Sequence, residues 1–150
     1  MLLEALSIKQ PWAGLIVARI KPVENRSWKI NRHIKNLAVC ASQKPEPQWV
    51  FDMVREKLAG LGIPYPDDLC SINGACIGLV DHIGTVWMQD GKPWTDSPKR
   101  VRIPPDQLRV WWQDDQYGWV LDNQRLIEPV PVKGQLGIYK IDINIQYEER

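Results

Sequence analysis

Three charged residues, Lys21, Glu24 and Arg26, follow closely on one another just past an apolar stretch. Arg offers a planar fork that suits phosphate, and Lys a mobile point charge. Glu24 can orient Lys21, pair with Arg26 or act as a base. The plainer alternative is a surface ion pair worth only ~0–1 kcal/mol. Upstream, Gln10-Pro11-Trp12 reads as a helix start, whose free N–H groups can hold an anion. Gln10 can read a base edge by paired donor and acceptor, and Trp12 can stack on a base. Trp12 shares a stripe with Leu15 and Ile16, and a Trp so placed is more often core. Ser42-Gln43-Lys44 follows an apolar run, so Ser42 and Lys44 can line a cleft or belong to a solvated loop.

Other chemistries find little support. Ser7, Ser27 and Ser42 lack a nucleophile elbow, and no Ser/His/Asp set assembles from local spacing. His82 sits in an apolar strand and reads as structural. Cys40, Cys70 and Cys76 are odd in number, form no C-x-x-C, and lie far in sequence from any metal-like His spacing. No metal or cofactor is therefore expected, and no phosphate-binding glycine loop occurs. Net charge is +1, which argues against a polycation. The distribution is uneven: residues 1–44 hold eight Lys or Arg against Glu4 and Glu24, so the remainder is net acidic. That asymmetry suggests an anionic partner for the first third, against the alternative of solvated faces with none. No secretory signal or apolar run of spanning length is visible, so no membrane partner and a reducing, cytoplasmic setting are expected.

The elements that must position these residues follow from periodicity. The chain, 150 residues long, fits one domain, 1–150, with an ordinary core. Residues 4–8 alternate as a short strand. Pro11 suits the first helical position, Trp12, Leu15, Ile16 and Ile20 share a face, and Pro22 stops the helix near Lys21. Leu37 to Ala41 reads as an interior strand. Pro47 opens a second helix, striped by Val50, Val54, Leu58 and Leu61 and ended by Gly60 and Gly62. Residues 63–73 read as loop. Ala75 to Val80 is the strongest strand and can run on to Val86-Trp87, where Asp90-Gly91 turns. Residues 91–106, Pro-rich and basic through Lys92, Lys99, Arg100 and Arg102, read as a long surface excursion. Leu108 to Trp112 fits a helix or a strand. Tyr117 to Leu121 is a strand, Asp122-Asn123 a turn, Arg125 to Val132 a return on an edge or bulge, and Leu136 to Ile143 the closing strand. Short strands with two main helices give an α+β fold with a curled, barrel-like sheet.

The segments Leu6-Ser-Ile-Lys-Gln-Pro-Trp-Ala13 and Ile20-Lys-Pro-Val-Glu-Asn-Arg-Ser-Trp28 resemble the activating signal cointegrator homology (ASCH) domain of the PUA-like superfamily. Ala41 to Pro45, Gly74 to Asp81, Tyr117 to Leu121 and Pro131 to Gly137 match in family order, with residues 88–112 least covered. The resemblance implies a PUA-like β-barrel with flanking helices and a basic cleft lined by a G-x-K-x-x-E-x-R motif. Lys21, Glu24 and Arg26 hold its charged positions, and Arg19 stands at the leading Gly position. It also implies RNA or single-stranded nucleic acid as partner, with Lys21, Arg26, Lys44 and Lys133 meeting phosphate. Gln10 and Trp12 would then contact a base, and Glu24 would position Lys21 or a base amine. Some relatives are ribonucleases, in which case Lys21 and Glu24 would be the catalytic pair of a hydrolase. Others are amidohydrolases of acetylated cytidine with a Thr nucleophile where Glu24 stands, which disfavours that activity here. A protein-interaction adaptor built on the Trp-rich 87–112 region is the remaining alternative.

Overall fold

A computed structural model describes residues 1–101 and 106–148, with the side chains of 106 and 107 left aside. Arg102 of the basic excursion lies outside the described residues. The fold is α+β: a seven-stranded mixed sheet with four helices among the described residues. In chain order these are β1 (Leu2–Ile8), α1 (Trp12–Val17), β2 (Val23–Arg26), β3 (Ile34–Ala41), α2 (Gln48–Leu61) and α3 (Asp67–Cys70). They continue with β4 (Ala75–Gln89), β5 (Lys92–Thr95), α4 (Asp106–Trp111), β6 (Tyr117–Pro131) and β7 (Ile138–Asp142).

The strands run β2-β6-β4-β3-β1-β7, with β5 paired to β4 as a hairpin. Only β1 and β3 are parallel. The hydrogen-bonded path has two ends, β2 and β7, so the ladder itself does not close. It curls nonetheless. Arg26 Nη2, on β2, donates to the Ser7 carbonyl of β1 at 2.9 Å. These strands are four places apart in the order, which in a flat sheet at ~4.8 Å spacing is far beyond a side chain's reach. The bend comes from bulges: register shifts interrupt β3–β4 and β4–β6 at several points. Asp81 ties two of them together, accepting from Asn36 N and from Asn123 Nδ2, both residues having left-handed φ.

Several expectations need correction. Asp122-Asn123 is not a reversal but a bulge inside one continuous strand, since Asp122 and Arg125 both stay paired to β4. Helix α1 ends at Val17, not near Lys21. Arg19 takes a left-handed φ of 65°, while Arg19 N and Ile20 N bond back to the Ile16 and Leu15 carbonyls. That is the Schellman closure normally given to glycine, made here by an arginine. In α2, Val50, Val54 and Leu58 are buried but Leu61 is exposed, and Gly60 lies inside the helix, which Gly62 caps at φ 70°. The 63–73 loop contains α3. Within the excursion, β5 pairs with β4 through Asp90-Gly91 and Ser97 and Val101 are buried, while most of its other described residues stay exposed on the surface. Leu108 to Trp111 is helical.

The core lies between the curled sheet and α1, where Leu6, Ile16, Leu37 and Trp119 are almost wholly buried. A second cluster packs α2 and α4 on Leu15, Val23 and Val120. Together these clusters hold β2, α1 and α4 around one opening.

Candidate functional site

That opening is a cleft of about 1220 Å³ floored by β2 and the end of β1. Helix α2 forms one wall, the end of α4 with Trp111 to Gln113 another, and the 133–137 turn a third. Lys21, Glu24, Arg26, Trp12, Ser42 and Lys133 all line it.

The floor is a bonded triad. Arg26 Nε and Nη2 donate to Glu24 Oε2 at 3.1 and 2.9 Å. Lys21 Nζ donates to the Val23 carbonyl at 2.6 Å and approaches Glu24 Oε1 at 3.5 Å. Lys21 and Glu24 are buried, at 3% and 6% exposure, so this is no surface ion pair. Burial pushes the Lys21 ammonium below its ordinary value, with Glu24 opposing the shift. The geometry follows from local structure. Val23 and Glu24 enter β2 immediately after the Arg19 turn, and the edge strand aims Glu24 and Arg26 along one face at period two. The Lys21 ammonium also lies 5.4 Å from the Trp12 ring centroid.

The α4 wall is fastened to the floor by one side chain. Asn25 Nδ2 donates to the Trp111 carbonyl and Asn25 Oδ1 accepts from Gln113 N, each at 2.9 Å. From α2, Lys57 donates to the Val110 carbonyl and sits 4.1 Å from the Trp111 ring centroid. Gly118 makes room for the Trp112 ring: a Cβ there would fall 2.8 Å from Trp112 Cδ1. Gly134 likewise lets its turn approach Ser7 Oγ, which a Cβ would meet at 2.9 Å.

Gln10 and Lys44 stand apart from the cleft. Gln10 is fully buried: its Nε2 donates to the Leu69 and Ile72 carbonyls and its Oε1 accepts from Gly14 N. Both amide donors are used, so it has no edge to offer a base. The start of α1 is closed to an anion for a related reason. The N–H groups of Trp12 and Ala13 go to the Lys9 carbonyl and that of Gly14 to Gln10. Lys44 is exposed and outside the lining. Sequence reasoning missed Asn25, Lys57 and Trp49, which all line the cleft. Trp49 and Lys57 share a face of α2 at helical spacing, a signal that the apolar stripe overshadowed. In the 87–112 region Trp94 is exposed, and Trp111 is buried in the cleft wall.

Among the described residues no helix is long and apolar enough to cross a membrane, and no cluster of three or more His, Cys, Asp or Glu could hold a metal. Comparison with known proteins adds to this geometry. The ASCH domain matches residues 6–102, a stretch that contains the whole floor triad. The chain is 31% identical over 144 residues to activating signal cointegrator 1 of Homo sapiens, and 30% identical to that of Mus musculus. Each alignment covers 93% of this chain and 22% of the relative, so the chain spans about a fifth of the length of these curated relatives. With the match extending over most of its length, the chain belongs to the ASCH domain family.

Proposed function

We propose that this chain binds nucleic acid, RNA or another single strand, in the cleft floored by β2. One observation carries the reading. The cleft gathers Lys9, Lys21, Arg26, Lys57 and Lys133 against Glu24 and Glu46, and sets tryptophans between them. Cations meet phosphates, while tryptophan faces stack on bases of any sequence. Arg26 and Lys133 take phosphate, Trp12 and Trp49 offer faces, and Ser42 offers a hydroxyl on the rim. Lys44 adds charge beyond the lining, and Gln10 holds the fold rather than the ligand. Membership of the ASCH family and the basic first third support the same reading. Residues 1–150 act as a single domain, its curled sheet a PUA-like barrel. A cytoplasmic setting suits its three buried free thiols.

The test is affinity for single-stranded RNA at two salt concentrations. Lys133→Ala should weaken binding to every sequence alike and lower the salt slope by about one unit. Absence of binding by the unmodified protein at low salt overturns the reading.

A second reading, a hydrolase of RNA or of a modified nucleoside, is favoured by the buried Lys21 with its lowered proton affinity beside Glu24. Perturbed pairs of this kind recur at catalytic sites. Turnover on RNA and acylated nucleosides, lost in both Lys21→Ala and Glu24→Gln, would establish it. A Thr-dependent amidohydrolase is not proposed, because Glu24 occupies the nucleophile's place.

A further inference from the structure

We infer that the cleft floor takes one unpaired nucleobase edge-first, read by Lys21 Nζ and Glu24 Oε1, while the phosphates stay with the more exposed Arg26 and the rim cations. This rests on the nucleic-acid reading above and assigns the floor its share of the ligand.

Among the described residues, the only buried polar side chains that line the cleft are Lys21 and Glu24. Their bonding is unequal. Glu24 Oε2 is filled by two Arg26 donors. Glu24 Oε1 meets only Lys21, at 3.5 Å, the outer limit of a hydrogen bond. Lys21 spends one strong bond on the Val23 carbonyl and has three donors in all. The floor thus sets an under-used acceptor beside an under-used donor. Asn25, the neighbouring amide, has both ends committed to the α4 wall and cannot read anything.

Phosphate is the wrong occupant for such a pair. Its oxygens accept but do not donate, so they would face the Glu24 carboxylate acceptor to acceptor. The Watson–Crick edge of a base carries a donor next to an acceptor and satisfies both groups at once. The Trp12 ring beside Lys21 gives an entering base an apolar face. The more exposed cations, Lys9 and Lys133, sit on the rim where a backbone would pass. Since the edge being read is the one that pairs in a duplex, the floor selects for unpaired strands.

The change that tests this is made on the ligand, so folding is not at issue. Affinity is measured for a short oligouridine, for the same strand methylated at N3 throughout, and for its duplex with oligoadenosine, all at one salt concentration. The methyl removes the uracil donor but leaves charge and stacking. The expected result is a loss of about tenfold on methylation and a comparable loss in the duplex. In Glu24→Met, whose stem is retained and whose acceptor is gone, the methylation penalty should shrink to within about threefold. Equal affinity for plain and methylated strands, or an undiminished penalty in Glu24→Met, overturns the base-reading floor. In that event salt-dependent binding to all strands would leave the nucleic-acid reading standing. Binding to none of the three probes would overturn both.

Discussion

The floor and the rim of the cleft use the same kinds of residue and hold them in opposite ways. On the floor, Lys21 and Glu24 are buried and Arg26 partly buried, and the three are bonded to one another and to backbone. On the rim, Lys133 and Trp49 stand in solvent. A buried charge persists only when paired, so the floor is fixed before any ligand arrives. An exposed lysine is free to move and is screened by salt, so the rim contributes long-range attraction and little shape. The contrast teaches that a cationic count alone misstates a site: Lys21 and Lys133 carry the same charge and do different work.

The contrast can be broken most forcefully at Glu24. Glu24→Ala leaves the buried Lys21 and the partly buried Arg26 without a counter-charge and should cost about 3–5 kcal/mol of stability, read from urea unfolding. A loss as small as that of a surface substitution would mean the floor is not a bonded unit. Asn25→Ala comes next. It removes both bonds that tie the α4 wall to β2, and should cost roughly 1–3 kcal/mol while weakening RNA binding. Unaltered binding would show that the wall stands by itself.

Below that lies a pH effect from behind the floor. His82 is buried next to Trp119, whose ring also meets Trp28 at 4.6 Å and the Arg26 guanidinium at 6.0 Å. Burial, aided by the neighbouring His33, holds the His82 imidazole below its ordinary value of 6.5. The unfolded chain takes up that proton at the ordinary value while the folded chain resists it. Stability is therefore full above pH 6.5 and declines as pH falls from there toward the lowered folded value. Urea midpoints at pH 7.5 and 5.5 (test conditions roughly one unit either side) should differ in that direction, and His82→Gln should flatten the difference. The smallest change belongs to the rim: Lys133→Ala should leave stability within about 0.5 kcal/mol while lowering affinity for RNA. A larger stability loss would erase the distinction between rim and floor.

Much of this was legible in the residues. The α2 stripe of Val50, Val54 and Leu58 marks a helix because burial at every fourth position has one regular solution. Asp90-Gly91 specifies its hairpin because both residues tolerate positive φ. Asn123 misled for the same reason: its left-handed conformation serves a bulge as well as a turn, and only pairing to β4 separates the two. Arg19 misled in the other direction, since a non-glycine residue seldom makes the left-handed closure it makes here. At the site, the charge types of Lys21, Glu24 and Arg26 were plain, but Gln10 showed only an amide, not that neighbouring carbonyls would saturate it.

By itself the sequence determined the charged triad, the strongest strands, the helix stripe and the family, because these depend on residue identity and short spacing. The tertiary structure alone decided that Lys21 and Glu24 are buried, that Lys133 lines the same cleft from more than a hundred residues away, and that Lys44 does not. It also decided that Asn25 is a fastener for α4. Those outcomes turn on how far the sheet curls and which bulges bend it. Curl is the sum of many small backbone choices, and no short run of residues encodes it.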